Sequence, residues 1–361
     1  MTMMTETVAG PAMTPKQRVM KFFAREPVDC LPCFSGMGNV TLAGLEPLGL
    51  DFASLHTDAE KMAAAAATTP KQFGFDCAVV PFAISVEAEA LGCEVNYYQG
   101  ASKNPEEIYY PTIKAKYVET ASDIKLPVGG PEKSEAILLV AEAIRLLKAE
   151  IGDEVPVGAW VLGPFTLAGQ IMELDHLLKM PLKAPQEMEH ILDVLADFLV
   201  GVLQVYRAAG ADYLTIREPG ASSNVIRPSM FRDLVVPRLE RIFTQVASPK
   251  VLHICGKTND IVTAMKETGA DALSVDHRND VAASRKELGD EVILLGNFNC
   301  MGLLVEEAPE TAARIITAGL NNGLSAIWPG CDIWPTAKPE NLRAVVEATH
   351  AYRPNGAGKK R

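Results

Sequence analysis

A histidine and a cysteine stand two residues apart in KVLHICGKTND, residues 250–260. The run is hydrophobic enough to be a β-strand. Alternate side chains of an extended chain leave on the same face, so the His253 imidazole and the Cys255 thiol converge on one point. Gly256 follows directly and allows the sharp turn that ends such a strand. A third donor, Cys331, lies far downstream in WPGCD. One imidazole and two thiolates form a soft donor set that selects zinc over magnesium or calcium. Three protein ligands leave a tetrahedral ion one open position, which marks a catalytic site rather than a structural one. The same residues admit a plainer reading. H-x-C recurs by chance, a strand cysteine is often a small buried hydrophobe, and a histidine can be hydrogen-bonded in a core.

The elements that must position these donors follow a rhythm. TPKQRVMKFFAREP reads as a helix that stops before Pro27, because proline disfavours helical geometry in the residue before it. A strand is expected around DCLPCF, and short apolar or β-branched runs then recur: DCAVVPF (76–82), VPVGAWVLGP (155–164), DYLTIREP (212–219), KVLHICG (250–256), ALSVDH (272–277), VILLGNF (292–298) and LSAIWPGCD (324–332). Helix-period segments separate most of them, including SEAILLVAEAIRLLKAE, MFRDLVVPRLERIFTQVA and APETAARIITAGLNNG. Such alternation predicts parallel strands with crossover helices, and eight strands buried on both faces predict a closed (β/α)8 TIM barrel. An open doubly wound sheet is the rival, but no G-x-G-x-x-G follows the first strand. The β-rich interval between the second and third strands predicts a hairpin or cap over one mouth. Residues 1–13 are expected to be flexible, 14–352 to form the single barrel domain, and 353–361 to be a flexible tail. In such a barrel the chemistry gathers at the C-terminal strand ends, where His253, Cys255 and Cys331 all fall.

Composition excludes other classes. The 361 residues are 48% hydrophobic, enough for a sizeable core, and the 34 basic against 45 acidic residues give a net charge of −11. No basic block tracks a phosphate backbone, so nucleic acid is not an expected partner. No apolar run of about 18 residues and no secretory signal pattern occurs, which predicts a cytoplasmic protein without membrane association. Seven cysteines in a chain this long predict free thiols or thiolate ligands rather than a disulfide framework. Cys30 and Cys33 form a C-x-x-C, but their extended context favours packing, as does that of Cys77, Cys93 and Cys300. Trp328 and Trp334 flank Cys331 and suit either a ligand contact or the barrel rim.

HICG, PGCD followed by P-E-N, REPVDCLP, HTDAEKMA (56–63) and VPFAISVEAEALGCEV (80–95) together resemble the uroporphyrinogen decarboxylase superfamily, in particular its zinc-dependent methylcobamide:coenzyme M methyltransferase branch. The similarity runs from about Thr14 to about Thr349. It implies a (β/α)8 barrel with His253, Cys255 and Cys331 as zinc ligands. It also implies methyl transfer between a corrinoid, presented by a small carrier protein, and a thiol such as coenzyme M. The decarboxylase branch fits less well. No arginine occurs between Arg25 and Arg145, and the segment that would meet a polycarboxylate substrate carries Glu87 and Glu89. Two departures from the methyltransferase pattern lie beside the proposed zinc: His277 where an acidic residue is expected, and a bulkier, less basic CDIWPTAKPEN.

Further site residues follow from position. Glu218, Asp276 and Asn297 end strands and are expected to look into the same mouth, where any one could accept the second N–H of His253. Glu87 and Glu89 are candidates for a substrate-binding wall or a solvated edge, and His277 for a labile fourth metal ligand. Three alternatives remain open: a corrinoid-dependent demethylase, delivery to another acceptor such as tetrahydrofolate, and a non-catalytic corrinoid-binding protein.

Overall fold

The computed structural model describes residues 12–101 and 107–353. The expected flexible ends therefore lie largely outside the described residues; of the proposed N-terminal segment, Met13 is tied down by its N–H to Asp29 (3.0 Å). Seven parallel strands form one sheet in the order β1, β4, β5, β6, β7, β8, β9, namely Ala78–Val80, Val157–Leu162, Tyr213–Arg217, Lys250–Ile254, Ala272–Val275, Ile293–Phe298 and Ala326–Pro329. β2 (Val95–Asn96) and β3 (Thr112–Ile113) form a separate antiparallel hairpin in the long interval. Every residue of β4 and β5 is buried, as expected of strands covered on both faces.

The eighth stave is shorter than DCLPCF predicts. It pairs only at Cys33, which bridges Ile327 of β9 in parallel. Phe34 N donates to Ile327 O (3.3 Å) on that side and Asp76 N to Cys33 O (2.8 Å) on the other, so this short stretch closes the sheet into a barrel. Pro32 has no N–H to offer a ladder, and Cys33 N is diverted to the Asp76 carboxylate (2.8 Å). The barrel interior is filled by Phe34, Trp160, Tyr213 and Trp328, all fully buried, with Phe34 edge-on to Trp328 at 4.9 Å. Gly36 permits this packing: a Cβ there would stand 2.0 Å from Thr215 Oγ1 and 2.5 Å from the Trp328 ring. Trp328 is thus barrel filling rather than rim.

The helices follow their local signals with one exception. Pro15–Phe23 starts at a Thr14/Gln17 capping box, and Glu135–Glu150 buries Ile137, Val140, Ala141, Ile144 and Leu147 at helical spacing. Pro309–Asn321 is followed by Gly323 at φ 110°. The segment 230–247, expected as one helix, is instead covered by the end of Pro228–Met230, a wide π-type turn Phe231–Val235, and Val236–Gln245. Pro237 cannot donate to the preceding turn, and the widened ladder accommodates it. The Glu87/Glu89 run is also helical, Val86–Ala90, so the two side chains point apart instead of sharing an acidic edge. Among the described residues no helix is long and apolar enough to cross a membrane.

Candidate metal centre

β6 places His253 in the barrel interior, and the chain continues extended through Cys255 before Gly256 turns it at φ 87°. His253 Nε2 stands 2.9 Å from Cys255 Sγ, and Cys255 Sγ stands 3.5 Å from Cys331 Sγ, just past β9. Edges of a tetrahedral zinc site with these donors are roughly 3.6–3.8 Å. The cluster is therefore contracted into mutual hydrogen bonds, and among the described residues no three His, Cys, Asp or Glu side chains already stand at ligand spacing. Widening the His253–Cys255 and Cys255–Cys331 separations by less than about 1 Å each would bring those two to such edges.

The donor chemistry fits a soft ion. Burial, then the Arg217 charge, lowers the His253 pKa to about 3, so the ring is neutral. Its Nδ1 is engaged by Ser274 Oγ at 2.8 Å, which leaves Nε2 facing the sulfurs. The Cys255 thiol donates to Cys331, holding the Cys331 pKa below its usual value.

Ser274 was not foreseen. It lies opposite His253 in the β6–β7 register, whereas of the residues expected to orient the ring Glu218 and Asp276 lie just past the ends of β5 and β7, and Asn297, within β8, is bonded elsewhere. Glu218 is fully buried and spends both oxygens on the start of helix Pro164–Ile171, accepting from Phe165 N (3.0 Å), Thr166 N (2.6 Å) and the Thr166 hydroxyl. Burial nevertheless pushes its pKa up to about 7. Asp276 accepts from Gly256 N (3.0 Å) and Arg278 N (2.9 Å) and contacts His277 Nδ1 at 2.8 Å. His277 is held there and makes no hydrogen bond to the three donors. Asn297 donates to the carbonyls of Asp276 (3.4 Å) and Asn279 (3.3 Å).

Asn279, also unforeseen, binds the loops after β6 and β7 together. It accepts from Thr258 N (2.6 Å) and Asn259 N (3.1 Å) and donates to Gly256 O (2.8 Å) and Asp276 O (3.0 Å). The turn carrying Cys255 is thereby fixed from two sides.

A cation also enters the mouth. Arg217 is the β5 register partner of His253, stacks over Trp160 at 4.5 Å and pairs with Asp332, the residue after Cys331 (2.5 Å). Its Nε and Nη1 are buried without a partner among the described residues. The sequence signal is the arginine before the strand-terminal glutamate in TIREPG. Glu87 is fully buried near the end of β4, accepting from Leu162 N (3.3 Å), and burial raises its pKa to about 7. Glu89 is half-buried and accepts from the Tyr97 hydroxyl. From the hairpin insertion, Tyr110 comes within electrostatic reach of Arg217, Cys331 and Asp332. Trp334 stays exposed.

A parallel barrel with this cluster at its C-terminal mouth matches one family model, uroporphyrinogen decarboxylase (URO-D), over residues 14–352, and the chain belongs to that family. Its relatives include the methylcobamide:CoM methyltransferase MtaA of Methanosarcina barkeri, 29% identical over 341 residues covering 94% of this chain and 98% of that protein. A methylated-thiol–coenzyme M methyltransferase of Methanosarcina mazei is 27% identical over 344 residues, covering 93% and 89%. Among solved structures, a methyltransferase from Methanosarcina mazei superposes with a TM-score of 0.86 at 27% identity, covering 93% of this chain and 98% of that one.

Proposed function

We propose that this protein is a zinc-dependent methyltransferase that moves a methyl group between a corrinoid and a thiol. The observation that carries the reading is the convergence of His253 Nε2 and the sulfurs of Cys255 and Cys331 at the C-terminal mouth. The methyltransferases among its relatives support it. Zinc held by these three residues would supply the Lewis acidity that keeps a thiol sulfur deprotonated and nucleophilic at neutral pH.

The chain's own residues do the remaining work. Ser274 fixes the orientation of the His253 ring. Asp276 and Asn279 hold the Gly256 turn, and hence Cys255, in place. Trp160 and Trp328 make a dry floor that excludes water from the sulfur. In the transfer the carbon–cobalt bond breaks with its electron pair left on cobalt, a carbon–sulfur bond forms, and the thiol proton goes to solvent. No general acid is required, only alignment.

The corrinoid arrives on a small carrier protein docked over the mouth. Exposed Ile84, Val225, Met301 and Trp334, from the loops after β1, β5, β8 and β9, supply an apolar rim for it.

The test is to measure bound zinc and to follow methylcob(III)alamin absorbance as thiols are added. Zinc near one per chain, with thiol-dependent demethylation abolished in Cys331→Ala, is expected. A zinc-free protein that decarboxylates uroporphyrinogen would overturn the reading.

A further inference from the structure

The mouth holds a buried charge pair with capacity left on both sides. The Arg217 side chain is 5% exposed, yet only Nη2 is engaged, by Asp332 Oδ2. Nε and Nη1, the donors on either side of it, are buried with no partner among the described residues. A guanidinium left in this state is costly unless a bound group completes it. Trp160 covers one face of the guanidinium, so an acceptor reaches it best in its plane. The partner of Arg217 is the more open member: the Asp332 side chain is 37% exposed, and among the described residues no hydrogen bond engages its second oxygen.

The pair is adjacent to the sulfur-binding donors in both directions. Arg217 is the register partner of His253, and Asp332 follows Cys331. Arg217 and His253 thus rise from neighbouring strands about 4.8 Å apart. A singly anionic thiol entering here would meet Arg217 already neutralised, with the Asp332 carboxylate repelling it. A thiol bearing both charges meets complements for each. Its carboxylate takes the free edge of Arg217 while its ammonium takes Asp332.

Resting on the thiol-methylation reading above, we infer that the acceptor is a zwitterionic amino-acid thiol of homocysteine type, selected by Arg217 and Asp332 as a bipolar clamp. The group transferred and its electron balance are unchanged: sulfur gains the methyl group, cobalt keeps the electron pair, and the proton is released.

The experiment compares kcat/KM for methylcob(III)alamin demethylation with L-homocysteine, 2-mercaptoethanesulfonate and cysteamine, in the wild type and in Asp332→Asn. L-homocysteine is expected to lead both singly charged thiols by at least tenfold, and Asp332→Asn to collapse that lead to threefold or less. Binding gives a readout independent of turnover and of the variant: calorimetry on the wild type should show L-methionine binding at least tenfold tighter than 2-(methylthio)ethanesulfonate. If the sulfonate equals or exceeds homocysteine, or the homocysteine lead persists in Asp332→Asn, the clamp is overturned while the methyltransferase reading stands. If no thiol demethylates the corrinoid, the underlying reading falls as well.

Discussion

Replacing Ser274 with alanine isolates the role of a single hydrogen bond. A neutral imidazole carries one proton. For Nε2 of His253 to offer a lone pair to a metal, the proton must sit on Nδ1, and Ser274 Oγ, 2.8 Å away, is placed to accept it there. The site is fully buried, so no water replaces the hydroxyl. The variant must either leave an N–H unsatisfied, costing about 1–3 kcal/mol, or shift the proton to Nε2 and lose the donor. Partners of this kind typically contribute 10–100-fold to metal affinity, about 1.4–2.7 kcal/mol. Zinc affinity of Ser274→Ala, measured by competition with a chromogenic chelator, should fall within that range. The cobalt(II)-substituted protein should lose intensity in its sulfur-to-metal charge-transfer band. An affinity within threefold of wild type would refute the assignment of Ser274 as the group that orients His253.

Glu87 makes stability pH-dependent in a direction that can be worked out. Burial raises its pKa from 4.5 to about 7 in the folded state, so between those values the folded chain holds a proton that the unfolded chain has lost. Stability should therefore fall as pH rises through that window, by on the order of 3 kcal/mol from this group. Urea denaturation of metal-free protein at pH 5 and pH 7 should show a smaller drop in Glu87→Gln, and an equal drop would contradict the account. Gly36→Ala drives a methyl to 2.0 Å from Thr215 Oγ1 and 2.5 Å from Trp328. It should destabilise the barrel by about 1–3 kcal/mol or more in the same assay. Asn279→Ala removes the bonds joining the loops after β6 and β7 and leaves the carbonyl of Gly256 without its donor. A loss of about 2–4 kcal/mol, seen together with faster amide exchange at Gly256 and Thr258, is the expected result.

The sequence by itself determined what depends on local period. Alternation of apolar runs with helix-period segments gave the parallel barrel, and two-residue spacing on a strand put His253 and Cys255 on one face. Where local preference met a competing local rule, the outcome shifted. Pro32 shrank the first stave to Cys33, Pro237 split an expected helix, and the helix-forming composition of VEAEA sent Glu87 inward and Glu89 elsewhere. Tertiary structure alone decided the relations between staves. Register and closure set Ser274 beside His253, Arg217 on the other side of it and Asp332 against Arg217, while Glu218 turned to a helix start. These partners are separated by tens of residues, and their pairing depends on how neighbouring strands slide past one another. A shift of one residue would reverse which side chains face the interior.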